Sequence, residues 1–326
     1  MSTFYASTAD EWADLASRSF APISVVSAAP AFRGSIERYE LGGGVVVSRV
    51  LADPCDLRRT RPQVAAFPSG DLLFEIQSTG VGHVRQDGRS ATISHGSGVL
   101  YSNAKPSELD FTTPNTSLIL QLPRRRLALS NSALAYVAVR PVTAASAALR
   151  VYTSLVSSVL RESPAPSTAV EAMAEATLDL LAGMLTTHLD SRPDRLSLSN
   201  NEAILAAMCR YVKENLGDPG LCVARIAERR GVSERQVHRL FASIGESPAA
   251  YVRARRLEWA ARLLTEPSRN TTMTDVAIWC GFCDLGTFTR AFKRRYGAPP
   301  AEWRAAQVVD SLCPDTPKPR TVLPHA

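Results

Sequence analysis

The sequence predicts an α+β protein of two domains, a small antiparallel β-barrel followed by two helices and then an all-α domain. Three observations carry that reading. Residues 36–122 alternate short apolar runs with turn residues, apolar positions change to helical spacing after Thr143, and one helix-turn-helix pattern occurs twice near the C-terminus.

In chain order, residues 1–35 read as a flexible start. From Ile36 the runs GGGVVVSRV, DLLFEIQSTG, VGHVRQDGRSATI, GVLYSN, LDFT and TSLILQLP are separated by Gly, Pro, Asn and Asp, the habit of a small barrel or sandwich, and place that domain at 36–140. Asp87-Gly88, between two alternating runs, is a hairpin-turn signal. Within 141–190, Leu149, Tyr152, Val156 and Val159 mark one helix. Met173, Leu178, Leu181, Met184 and Leu185 mark a second, from about Ala169 to Leu189. Two such helices would close the open side of a barrel and offer a dimer seam. The polar stretch DSRPDRLSLSNN puts a linker at 191–200, and the proline-rich 309–326 reads as a disordered tail.

The doubled pattern occupies Cys222–Ser243 and Met273–Arg294. In each copy a short helix carries a small residue, Ala227 or Ala277, where a second helix must cross closely. It ends at Gly231 or Gly281, the residue type that enters the left-handed region without steric penalty. An apolar residue follows (Val232, Phe282), then a capping side chain (Ser233, Asp284). Val237, Leu240 and Phe241 in one copy, Phe288 and Phe292 in the other, then recur at helical spacing. That arrangement turns one polar helix face outward, as a major groove requires. Between the copies, Pro248 opens an unbroken helical stretch to about Thr265. At 1.5 Å per residue it spans roughly 27 Å, which with the width of the flanking helices approaches one turn of B-DNA, about 34 Å.

Charge follows the same division. The 326-residue chain carries a net +6, and residues 201–308 hold 17 Lys+Arg against 11 Asp+Glu, the whole of that excess. A basic domain beside a neutral one assigns the polyanion to the C-terminal domain. No charged-then-apolar leader opens the chain, and no apolar run approaches the ~18 residues needed to cross a bilayer, so a cytoplasmic protein without a membrane partner is expected. Six cysteines without regular spacing fit a reducing compartment.

Other motifs point elsewhere and fail on context. Trp279-Cys280-Gly281-Phe282-Cys283 imitates a dithiol redox site, but such a site needs a helix starting at the first Cys, and here Cys280 closes one. Zinc would need a second ligand pair, which Cys209 and Cys222 do not form. His83 and His95 are isolated and read as structural or surface residues, and Arg124–Arg126 reads as a solvated charge run. With no carboxylate pair, nucleophile triad or metal cluster, neither an enzyme nor a cofactor is expected.

The stretch GFCDLGTFTRAFKRRYGAPPAEWR resembles the C-terminal signature of the AraC/XylS family of transcription regulators, through Gly281-Phe282, Phe288, Arg290, Phe292, Lys293, Tyr296-Gly297, Pro300 and Trp303-Arg304. The first motif and RARRLEWAARLL are similar to the first half of that module, so the likeness runs from Ala203 to Ala305. VRQDGR and LQLPRRRL resemble the family's cupin-like sensing and dimerisation domain. The resemblance implies about seven helices over 201–308 and a cupin-like β-barrel before them. It also implies a sequence-specific, ligand-responsive activator acting as a homodimer, with double-stranded DNA, RNA polymerase and a small effector such as an aromatic acid as partners. Carried over to this chain, Arg235, His238 and Arg239 face base edges from the first recognition helix, and Leu285, Gly286, Thr287 and Arg290 from the second. Arg253, Lys293, Arg294 and Arg295 suit phosphates, while Arg256 and Arg262 suit pairing with Glu258 or Glu266. The competing readings are a ligand-independent architectural DNA binder and a cupin-type enzyme tethered to DNA.

Overall fold

The computed structural model describes residues 2–161, 167–190, 196–265 and 271–312. Contacts divide the chain into two units, Met1–Ala203 and Ile204–Ala326. Of the expected linker, 191–195 lie outside the described residues and 196–200 begin a helix; of the expected tail, 309–312 end a helix and 313–326 lie outside.

The N-terminal unit runs β1 (Ser2–Ala6), α1 (Ala9–Ser19), β2 (Ser24–Ala28), β3 (Gly34–Gly42), β4 (Val45–Ala52), β5 (Cys55–Arg59), α2 (Arg61–Ala66), β6 (Asp71–Thr79), β7 (Gly82–Gln86), β8 (Arg89–Ile93), β9 (Gly98–Ser102), β10 (Ser107–Phe111), β11 (Asn115–Pro123), α3 (Asn131–Val137), α4 (Ala147–Arg161) and α5 (Ser167–Asp190). Its strands form two antiparallel sheets, ordered β1-β3-β4-β11-β6-β9 and β2-β5-β10-β7-β8. The barrel expected from the strand pattern is therefore two open sheets. Alternation fixes which face of a strand is apolar, and a sandwich and a closed barrel ask for the same alternation. The β7–β8 hairpin turns at Asp87 and Gly88, both with positive φ (53° and 70°), as a tight two-residue turn requires.

Residues 2–28, expected to be flexible, form β1, α1 and β2 instead. The Thr8 side chain caps α1 by accepting from the Glu11 N–H, and Trp12, Leu15 and Ala16 turn one buried face inward. Trp12 packs its ring 5.5 Å from that of Phe32. The i, i+3, i+4 spacing of Trp12, Leu15 and Ala16 was the available signal, and Asp10, Glu11 and Asp14 around them masked it.

Two apolar cores share the six-stranded sheet. One lies on its inner face and gathers Trp12, Ile36, Leu73, Val84, Val99, Phe111 and Ile119 from both sheets. The other packs Val47, Phe74, Leu120 and Leu122 against Leu149, Tyr152, Val156, Leu178 and Leu181 of α4 and α5. The helices thus cover the outer face of this sheet rather than the mouth of a barrel. Burial on both faces explains why β4, β6 and β11 read as nearly continuous apolar runs. The Arg124–Arg126 run is not solvated as expected: Arg126 is buried and pairs with Glu175 of α5 at 2.5 Å, and Arg124 donates to Leu127 O at 2.9 Å.

The C-terminal unit holds seven helices among the described residues: α6 (Leu196–Glu214), which spans the boundary, α7 (Val223–Arg230), α8 (Glu234–Ala242), α9 (Pro248–Thr265), α10 (Met273–Trp279), α11 (Leu285–Tyr296) and α12 (Pro300–Leu312). The long α9 packs against α8, α10, α11 and α12. Its second half joins Val276, Ala277, Phe288 and Phe292 in one core through Leu257, Ala260, Leu263 and Leu264. No helix among the described residues is long and apolar enough to cross a membrane.

One polar group sits in the inner core of the N-terminal unit. Glu75 of β6 is 1% exposed, and burial pushes its carboxyl from 4.5 up to about 7 even though the Tyr101 hydroxyl donates to it at 3.0 Å. A carboxyl whose folded pKa is raised stabilises fully below its unfolded pKa and loses that contribution as pH rises through the folded value. Relative to Glu75→Gln, the wild-type chain should therefore lose stability between about pH 4.5 and 7, by on the order of 3 kcal/mol, read from urea midpoints across that range.

Candidate nucleic-acid interface

The two helix-turn-helix turns are built from the same hydrogen bonds. At the first, Gly231 (φ 62°) donates to Glu228 O at 3.2 Å and Val232 N–H reaches back to Ala227 O at 3.1 Å. At the second, Gly281 (φ 75°) donates to Ile278 O and Phe282 N–H to Ala277 O, both at 2.9 Å. The bond from the residue after the glycine satisfies a carbonyl that the ended helix leaves open, which locks the exit direction of the chain. The next helix is then capped as its sequence predicts. Ser233 accepts from Gln236 N–H at 3.2 Å and Asp284 from Thr287 N–H at 2.7 Å. That backbone bond holds the Asp284 carboxyl below the usual range.

Surroundings distinguish the two turns. A Cβ on Gly231 would meet nothing within 4 Å, whereas one on Gly281 would stand 2.4 Å from Leu216 O and 2.8 Å from Arg256 Nη2. Arg256 is itself bonded to the turn that follows α6, donating to Leu216 O at 2.9 Å and Asp218 O at 2.6 Å. It therefore does not pair along α9 with Glu258 as expected, and Glu266 lies outside the described residues. Glu258 is buried and takes two other cations, Arg255 at 2.5 Å and Arg295 at 2.6 Å.

The outward faces follow from what is buried. On α8, Val237, Leu240 and Phe241 point into the core, leaving Arg235, His238 and Arg239 exposed with no hydrogen bond or ion pair among the described residues. On α11, Phe288, Ala291 and Phe292 are buried, while Leu285, Gly286, Thr287 and Arg290 are exposed. Arg290 bonds the Thr287 hydroxyl at 3.2 Å. Arg253, Lys293 and Arg294 are exposed and likewise unpartnered among the described residues. Arg295 differs from its three companions: expected at a phosphate, it is half-buried and tied to Glu258, 37 residues earlier in the chain. Periodicity along one helix cannot reveal a partner at that separation; within the Arg255–Glu258–Arg295 cluster only the Arg255–Glu258 pair, at i,i+3 on α9, lies within its reach.

The decoy motifs also take definite places. Cys280 closes α10, and burial pushes its thiol up to about 12, away from the thiolate that redox exchange needs. His83 contacts Thr92 Oγ1 at 3.0 Å and His95 the Ser78 carbonyl at 2.5 Å. No group of three or more metal-ligating side chains gathers among the described residues.

Residues 226–306 match a model of a helix-turn-helix domain, and residues 12–186, more than half of the chain, match that of an AraC-binding-like domain. The chain belongs to the AraC/XylS family of transcription regulators. As a family member it is a DNA-binding transcription regulator. It is 26% identical to the transcriptional activator NphR of Rhodococcus sp over 265 residues, covering 80% of this chain and 78% of that one. It is also 26% identical to the transcriptional activator RhrA of Rhizobium meliloti (strain 1021) over 261 residues, covering 80% and 73%. The crystal structure of the AraC-like transcriptional activator CuxR shares the fold at a TM-score of 0.52 and 15% identity, over 78% of this chain and 94% of that one.

The unequal turns of this AraC/XylS regulator give a paired expectation. Gly231→Ala should cost about 1–2 kcal/mol, the penalty of a left-handed L-residue alone. Gly281→Ala should cost at least about twice that, because a backbone carbonyl cannot move aside as a flexible side chain can. Thermal unfolding of the two variants side by side measures the difference.

Proposed function

We propose that this regulator is a ligand-responsive, sequence-specific activator that binds double-stranded DNA as a cytoplasmic homodimer. The observation that carries the DNA-reading part is the set of unpartnered polar side chains on two identically constructed helix-turn-helix units. Arg235, His238 and Arg239 of α8 read base edges, Arg239 as a bidentate donor to guanine O6 and N7. Leu285 and Gly286 of α11 have no side-chain hydrogen bond to offer, so that helix reads by apolar contact, as with a thymine methyl, with Thr287 and Arg290 beside it. Arg253, Lys293 and Arg294 hold phosphates and set the register without specifying sequence. Arg295 stays on Glu258.

Activation is supported by the names of the relatives NphR and RhrA, and contact with RNA polymerase follows from activation. Sensing of a small molecule is supported by the AraC-binding-like match and by a cavity inside the N-terminal unit. That unit senses rather than catalyses, and α4 and α5 supply the seam between protomers.

The assignment separates by class of contact. On a site selected from randomised duplexes, Arg239→Ala should weaken binding by about 5- to 150-fold, with a much smaller loss on random DNA. Lys293→Ala and Arg294→Ala should weaken both equally, each lowering the salt slope by about one. Arg295→Ala should leave the slope unchanged and lower the melting temperature. Fluorescence anisotropy titrations at several salt concentrations read all of these, and an equal loss on both duplexes would make Arg239 a phosphate contact.

A further inference from the structure

A cavity of about 50 Å³ lies between the two sheets of the N-terminal unit, walled by aromatic and aliphatic side chains that include Trp12, Phe20, Tyr101 and Phe111. Two polar features in this lining are incomplete. Glu75 Oε2 accepts from the Tyr101 hydroxyl at 3.0 Å and the Ser117 hydroxyl lies beside the carboxyl, but Oε1 is buried without a hydrogen bond of ordinary geometry. The Trp12 indole N–H has only the soft Cys55 sulfur beside it and no hydrogen bond of ordinary geometry. Buried polar atoms are nearly always satisfied, so an unfilled acceptor and an unfilled donor in one apolar slot point to a missing molecule.

The other charged wall residue is already committed. Arg59 is 2% exposed, and its guanidinium donates to Asn103 O at 3.0 Å, Pro22 O at 2.6 Å and Phe67 O at 2.9 Å. Its three nitrogens pin three segments of chain together, a positioning role. Above about pH 7, where Glu75 is ionised, a carboxylate ligand would bring a second negative charge towards it in a low-dielectric space, which forces a proton on one of them or expels the ligand.

We infer that this cavity is the effector site of the regulator and that it takes a small uncharged aromatic molecule bearing a hydroxyl or N–H donor, as phenols do, rather than an aromatic carboxylate. The inference rests on the ligand-responsive reading above and specifies its chemistry. The donor of the ligand satisfies Glu75 Oε1, its oxygen lone pair can take the Trp12 N–H, and its ring lies among the aromatic walls. The cavity is about a third of the roughly 150 Å³ that accommodates benzene, so entry of a ring moves lining side chains outward. Occupancy is thereby tied to a change in packing between the sheets.

Isothermal titration of the full chain with phenol, anisole, toluene and benzoate, carried out above about pH 7 so that Glu75 is ionised, tests this. Phenol should bind at least about tenfold more tightly than the other three, because only it brings a donor without a charge. Glu75→Leu should erase the advantage of phenol over toluene, and Glu75→Gln, which keeps an acceptor oxygen, should retain it. The phenol–anisole comparison on wild-type protein needs no variant to fold. Anisole or benzoate matching phenol, or no binding by any of the four at millimolar concentration, would overturn the ligand class. Phenol binding as inferred while leaving affinity for the selected DNA site and transcription from it unchanged would keep the ligand class and sink the sensing reading.

Discussion

The exposed faces of α8 and α11 depend on a single backbone arrangement, used twice: a helix ends in a left-handed glycine, and the next N–H reaches back to the carbonyl of an alanine four residues before that glycine. This bond fixes the angle at which the following helix departs, and the alanine side chain lets that helix pass close by. Once the angle is fixed, hydrophobic burial decides the rest. Val237, Leu240 and Phe241, or Phe288 and Phe292, take the inner face, and whatever remains faces solvent. The cations on α8 are exposed as a consequence of the packing beneath them.

The two copies then diverge in what surrounds them. The first turn stands clear of other atoms, and the α8 face is free of internal partners among the described residues. The second is held against the turn after α6 by Arg256, and the helix that follows it is linked to α9 through Arg295 and Glu258. Removing a partner of the buried Glu258 leaves an uncompensated charge and costs about 3–5 kcal/mol, so Arg255 and Arg295 serve the fold before they can serve DNA. The 17 Lys+Arg of residues 201–308 accordingly overstate the cations on offer. Arg230 bonds Ala207 O and Arg225 pairs with Asp218, and with Arg255, Arg256 and Arg295 they are engaged internally.

What could be read in the sequence was local. Gly231, Ser233, Gly281 and Asp284 each act within a few residues of their position, and the structure places them in the roles their chemistry suggests. The same holds for the Asp87-Gly88 hairpin. The misreadings involve information that local patterns lack. Whether strands close into a barrel is settled by pairings between distant segments, and the alternation of β7 or β10 is silent about it. Arg126 meets Glu175 and Arg295 meets Glu258 across tens of residues, where a run of arginines on paper looks like solvated surface. Helix α1 was a different failure: Trp12, Leu15 and Ala16 were visible at helical spacing, but a short amphipathic segment among acidic residues resembles a loose terminus until a sheet exists for it to cover.

The N-terminal unit uses the period of two in a strand to put distinct tasks on one backbone. Along β6, Leu73 and Glu75 line the cavity between the sheets, while Leu72, Phe74 and Ile76 point to the other face and belong to the core shared with α4 and α5. The ring of Phe74 meets that of Tyr152 on α4 edge-on at 5.6 Å. Glu75 and Phe74 are consecutive residues, so any displacement of the backbone at the cavity wall is also a displacement at the helix interface. A close-packed interior does not absorb such a shift gradually; it repacks in discrete steps. The sheet is thin enough that the space between the sheets and the surface beneath α4 and α5 are separated by a single strand layer, and no longer chain of contacts is needed to join them.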